Sequence, residues 1–148
     1  MNSKTLIAAV LGGITLFVLG WLIYGLLLAD YFANSASRAN PLFLYIGLGE
    51  LVFGYLIAWV FTQSGTETVA DGAKIGATLG FVLALGFGLL MYGTHDLVEL
   101  STNLVDALVA AVRYGVAGAV VGWYLGRGAS EDFSSESASE GGFESAEA

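Results

Sequence analysis

The chain has no cysteine, one proline and one histidine in 148 residues. Without cysteine there are no disulfides, no thiol redox chemistry and no cysteine-ligated metal. Charge is scarce as well. Charged residues make up 12% of the chain, about half the roughly 25% usual for soluble domains. Only five are basic, at Lys4, Arg38, Lys74, Arg113 and Arg127. What fills the space is apolar: 56% hydrophobic residues and 21 glycines, with a mean hydropathy of +0.75. This balance belongs to the membrane class.

The net charge of −8 is unevenly placed. Residues 128–148 carry Glu131, Asp132, Glu136, Glu140, Glu144 and Glu147 and no Lys or Arg, so they supply −6 of it. This Ser-, Glu-, Gly- and Ala-rich segment has too little apolar surface to offset ordering entropy, which predicts a disordered acidic tail. Phe133 and Phe143 stand alone in it. They are either solvated or anchors for a soluble or membrane partner. No cofactor and no nucleic-acid partner are expected.

Ahead of the tail, residues 1–127 hold four apolar runs near the roughly 20 residues a membrane helix needs. They cover about 5–29, 41–61, 73–93 and 104–126. Pro41 falls in the first turn of the second run, where proline is tolerated. Asn103 and Asp106 have capping-box-like spacing at the start of the fourth. Short connections favour antiparallel neighbours. The fold expectation is an all-α integral membrane up-down four-helix bundle. The first run is too long for the roughly 7–15-residue core of a cleaved signal peptide, so it is read as a span.

Lys4, Lys74 and Arg127 share one side of this layout and Arg38 lies on the other. The positive-inside bias then places both termini in the cytoplasm of a cell (inner) membrane. Tyr31, Tyr45 and Tyr92 sit where an outer aromatic belt belongs, and Trp59, Trp123 and Tyr124 where an inner one does.

A shift of 64 residues aligns the first helix pair on the second without a gap. Gly12 falls on Gly76, Phe17 on Phe81, Leu44 on Leu108, Gly54 on Gly118 and Trp59 on Trp123; nine of 41 positions are identical. The pattern suggests two duplicated helix hairpins, an arrangement known from transporters and also compatible with bundles that transport nothing. Small residues recur every four positions at Gly72, Gly76, Gly80, Ala84 and Gly88, and again at Gly118, Gly122 and Gly126. Gly47 and Gly54 share a face of the second span. Such faces let helix backbones approach closely in lipid, within the chain or between copies of a homo-oligomer.

Two charges lie deep in the spans. Glu50 is nine residues into the second run and Arg113 nine into the fourth, at about 13–14 Å from the outer end. Opposite charges at equal depth in lipid are expected to pair, with Tyr114 or Tyr55 in reach. The pair is either a register lock or the midplane site for a proton, ion or polar solute. At the outer end, Asp30, His95, Asp96, Glu99 and Asp106 suggest a polar mouth that attracts cations. His95 and Glu99 share a face if the third helix continues through them. Two such groups fall short of the three or four ligands a zinc site needs, so no metal is expected. There is no nucleophile–base pair and no phosphate loop, so no enzyme activity is expected either. The two functional expectations are a membrane protein binding or passing a cation, proton or small polar solute, and a structural or assembly subunit of a membrane complex.

YGTHDLVELST, at 92–102, resembles a YGTxDLxxLxT-like signature of an uncharacterised family of small four-span bacterial membrane proteins. Tyr92, Gly93, Thr94, Asp96, Leu97, Leu100 and Thr102 match, while His95 stands where an aromatic is usual. FVLGWLIYGLLL, at 17–28, resembles the FxxGxxWYGxL-like opening of another such family. Phe17, Gly20, Tyr24 and Gly25 match, and Ile23 replaces the tryptophan. These resemblances imply a four-helix membrane protein and carry no activity.

Overall fold

The computed structural model describes residues 3–33, 37–96 and 98–141, with side chains as far as 127. The described residues are all-helical: α1 Ser3–Leu22, continued by a π-helical segment Ile23–Leu27, then α2 Ala29–Phe32, α3 Phe43–Ser64, α4 Val69–Thr94 and α5 Leu100–Gly141. Four helices are long and apolar enough to cross a membrane: Ser3–Leu27, Phe43–Ser64, Val69–Thr94 and Leu100–Arg127. In hydrocarbon every backbone polar group needs a partner, and a helix provides it within one segment. The protein is thus a multi-pass helical membrane protein. Its large apolar side chains, among them Leu26, Leu44, Val52, Val82, Phe87 and Leu108, are exposed, as lipid-facing residues are.

The span ends differ from the sequence reading by one to four residues. Pro41 precedes α3 rather than entering its first turn, because the helix starts at Phe43. Asn103 is no cap, because α5 begins three residues earlier. Its side-chain amide instead donates to the Gly88 carbonyl oxygen of α4 at 3.1 Å. His95 closes α4 in an extended conformation, so His95 and Glu99 share no helical face. At the other end α5 stays helical to Gly141, through most of the segment whose composition suggests disorder. Extending an existing helix avoids the nucleation cost, and residues 129–140 contain neither Gly nor Pro. The two tail phenylalanines and the acidic side chains beyond 127 lie outside the described side chains.

The α3–α4 turn is set by backbone chemistry. Gly65 takes the left-handed conformation (φ 64°) that ends α3, a role suited to glycine because it has no Cβ to clash. Thr68 Oγ1 then accepts from the Asp71 backbone N–H at 3.1 Å and caps α4. Despite this four-residue turn, α3 and α4 scarcely pack on each other. The main pairings are α1 with α3 and α4 with α5, joined through an α1–α5 seam. Phe61, Leu16, Ile57 and Val121 are the largest fully buried side chains, drawn from α3, α1 and α5.

The two hairpins cross at equivalent glycines. A Cβ on Gly12 would lie 3.4 Å from Gly54 Cα, and one on Gly76 3.1 Å from Gly118 Cα. These contacts are related by the 64-residue shift seen in the sequence. The small faces are therefore used inside the chain: Gly72, Gly76 and Gly80 of α4 lie on Gly118, Tyr114 and Ala110 of α5.

Candidate functional site

Glu50 lies seven residues into α3 and Arg113 thirteen into α5. At 1.5 Å per residue these are depths of about 10 and 20 Å. The two side chains nonetheless meet, so at this end of the bundle the start of α5 lies beyond the start of α3. Arg113 Nη2 donates to Glu50 Oε1 at 2.5 Å and to the Leu16 carbonyl oxygen of α1 at 3.0 Å. The side chains are 9% and 13% exposed, so this is a buried pair. One guanidinium thereby joins α1, α3 and α5. Gly20 makes the approach possible, since a Cβ there would stand 2.7 Å from Arg113 Nη2. Arg113 Nε is buried without a partner.

Beside this pair the structure places one group that spacing alone does not single out, Tyr24. The Tyr24 hydroxyl donates to Asp106 Oδ1 at 2.5 Å, and the Arg113 guanidinium lies 5.1 Å from the Tyr24 ring centre. Tyr24 sits in the π-helical segment, closed by a bond from Leu28 N–H to the Ile23 carbonyl oxygen at 2.7 Å. Such one-turn bulges redirect side chains and are frequent at functional sites. The nearest sequence signal was the match of Tyr24 to the FxxGxxWYGxL-like opening. Tyr114 is buried and stacks edge-on with Phe53, ring centres 5.8 Å apart. Tyr55 is 40% exposed, outside this cluster.

The outer mouth is not one cluster. Asp106 turns inward to Tyr24, whereas Asp30, His95, Asp96 and Glu99 are exposed. His95 Nδ1 pairs with the neighbouring Thr94 hydroxyl at 2.8 Å, and Glu99 accepts from Ser101 at 3.3 Å. Among the described residues no three His, Asp or Glu side chains come together as a metal site.

Glu50 is also reachable. A cleft of about 350 Å³ opens between α1 and α3, with Phe17, Gly20, Trp21, Tyr24, Phe43 and Glu50 in its wall. Arg113 is not part of that wall, so an occupant meets the carboxylate side of the pair. A wider hollow beside the connection before α3, lined by Ser37, Arg38, Pro41, Leu42, Tyr45 and Ile46, shares Pro41 and Ile46 with the cleft. The arrangement can hold a positively charged or hydrogen-bonding group against Glu50. Comparison with protein-family models, with curated proteins and with solved structures finds no match, so the functional reading rests on this geometry.

Proposed function

We propose that this membrane protein binds, and passes across a cell (inner) membrane, a cation, proton or small polar solute, with Glu50 as the site it reaches. The observation that carries the reading is that Glu50 is paired with Arg113 and still lines an open cleft between α1 and α3. An ion pair that only fixed helix register would need no such access. The charges agree: Glu50 and Asp106 against Arg113 leave the cluster one negative charge in excess, which favours a positive guest. Intramembrane ionisable residues commonly mark such paths. Both termini are cytoplasmic in this reading, on the bias of Lys4, Lys74 and Arg127.

The test is flux in proteoliposomes for protons, alkali cations and small polar solutes, comparing the natural protein with the Glu50→Gln/Arg113→Gln double variant. The double variant removes both charges together and leaves neither stranded. Loss of flux in a folded double variant supports the proposal; unchanged flux sinks it.

The assembly reading keeps one specific observation of its own. Arg113 joins three helices through one guanidinium, as a register lock would, and α5 continues helical to Gly141 as an arm for a soluble or membrane partner. A stoichiometric partner that co-purifies and is lost on removal of residues 128–148 would favour it. Homo-oligomers through glycine faces are a weaker form of this reading, because the main glycine faces are already occupied within the chain.

A further inference from the structure

We propose that the α1–α3 cleft takes a lipophilic organic monocation, its positive charge near Glu50 and its apolar groups along the helix seam. The inference rests on the binding reading above and narrows its substrate class. The cleft does not end at Glu50. A second hollow of about 330 Å³ follows the same seam, with Ile14, Leu44, Leu48 and Leu51 in its wall, and it shares Phe17 and Phe43 with the first. One end of the combined space is therefore a carboxylate among aromatic rings, and the other is wholly apolar.

Three features select the guest. The excess negative charge of Glu50, Asp106 and Arg113 disfavours an anion and leaves a neutral guest with no electrostatic gain. A metal ion suits the charge but not the walls. Hard cations take about six oxygen ligands, and beside Glu50 the cleft offers mainly the rings of Phe17, Trp21, Tyr24 and Phe43. The Tyr24 hydroxyl is already committed to Asp106. Aromatic faces instead attract weakly hydrated organic cations such as quaternary ammonium groups. Finally, the apolar hollow suits a body that partitions into lipid, so that a guest can enter from the bilayer as well as from water. Arg38 stands in the wider hollow but is exposed, so salt screens its repulsion of an arriving cation.

The test uses the full-length protein in lipid nanodiscs and radiolabelled tetraphenylphosphonium, with tetraphenylborate as a probe of similar shape and opposite charge. The expected result is saturable binding of one tetraphenylphosphonium per chain that tetraphenylborate does not displace. Trp21→Ala and Phe43→Ala, which leave the ion pair untouched, each weaken it by about tenfold. Glu50→Gln/Arg113→Gln abolishes it in protein that retains its helical circular dichroism. Binding that does not saturate, that tetraphenylborate displaces equally well, or that persists in the double variant overturns the inference. The two readings fail separately. Glu50-dependent proton or alkali-cation flux without tetraphenylphosphonium binding sinks this inference and leaves transport standing. Specific tetraphenylphosphonium binding without flux of any solute, including the probe itself, sustains the site and sinks transport.

Discussion

The hydroxyl of Tyr24 donates to the carboxylate of Asp106 at 2.5 Å, across 82 positions of sequence. The bond ties the π-helical end of the first span to the N-terminal part of the fourth. It also gives a partly buried carboxylate a partner inside the membrane. Removing the donor leaves that carboxylate short of one. Tyr24→Phe is expected to lower stability by about 1–3 kcal/mol, and Asp106→Asn in the same chain to recover part of the loss, because a neutral amide is less costly to leave unpaired. Thermal or denaturant unfolding in one detergent, across the four combinations, measures it. Equal stability of Tyr24→Phe and the natural protein would refute the coupling.

The Glu50–Arg113 pair makes a stronger demand. Each single neutral variant strands a charge in a low-dielectric interior, and breaking a buried pair costs about 3–5 kcal/mol. Glu50→Gln and Arg113→Gln are each expected to be strongly destabilised. The double variant should lose much less than the sum of the two losses. A double-mutant cycle in unfolding free energy decides it: simple additivity would mean the two side chains do not depend on each other.

Glycine positions divide into two sets by what a Cβ would meet. At Gly76 it would overlap the Tyr114 carbonyl oxygen, and at Gly118 that of Gly72, both rigid backbone. At Gly49 and Gly86 nothing lies within 4 Å. Alanine at Gly76 or Gly118 should therefore force α4 and α5 apart, at about 1–3 kcal/mol or more. Alanine at Gly49 or Gly86 should be neutral or stabilising by up to about 1 kcal/mol, through helix propensity alone. Melting temperatures of the four variants test the division, and the opposite ordering would contradict the packing.

Much of this architecture is legible in the residues. The apolar runs mark the spans because lipid demands an apolar, internally hydrogen-bonded segment. The four-residue spacing of Gly72, Gly76 and Gly80 marks the α4–α5 seam because only small residues allow that approach. The pairing of Glu50 with Arg113 follows from their opposite charge deep in two spans that run the same way, although they lie about 10 and 20 Å from the starts of their helices. What spacing does not reveal is which helices touch. A four-residue α3–α4 turn suggests neighbours, yet packing unites α1 with α5 instead. The committed partners of Tyr24 and Asn103 were hidden for the same reason. Their bonds to Asp106 and Gly88 depend on the rotation of whole helices, and in Tyr24's case on a π turn. The outer acidic residues look like one mouth in sequence, but the end of α4 at Thr94 leaves His95 extended and exposed.

The absence of cysteine makes topology directly testable. Asn40 lies in the connection before α3 and Asp71 in the first turn of α4, and both are exposed. One helix, α3, separates them, so they must lie on opposite sides if α3 crosses the membrane. In the proposed orientation the Asp71 side is the cytoplasmic one: Lys74 follows it by one turn, and Arg127, on the same side, stacks 4.3 Å over Trp123 where an interfacial anchor belongs. In intact cells a membrane-impermeant maleimide is expected to label Asn40→Cys and spare Asp71→Cys, and permeabilisation should expose the second site. The reverse pattern would invert the orientation and turn the Glu50 cleft toward the cytoplasm. Labelling of both sites in sealed cells would mean that α3 does not span the bilayer, and the burial of Glu50 in hydrocarbon would fall with it.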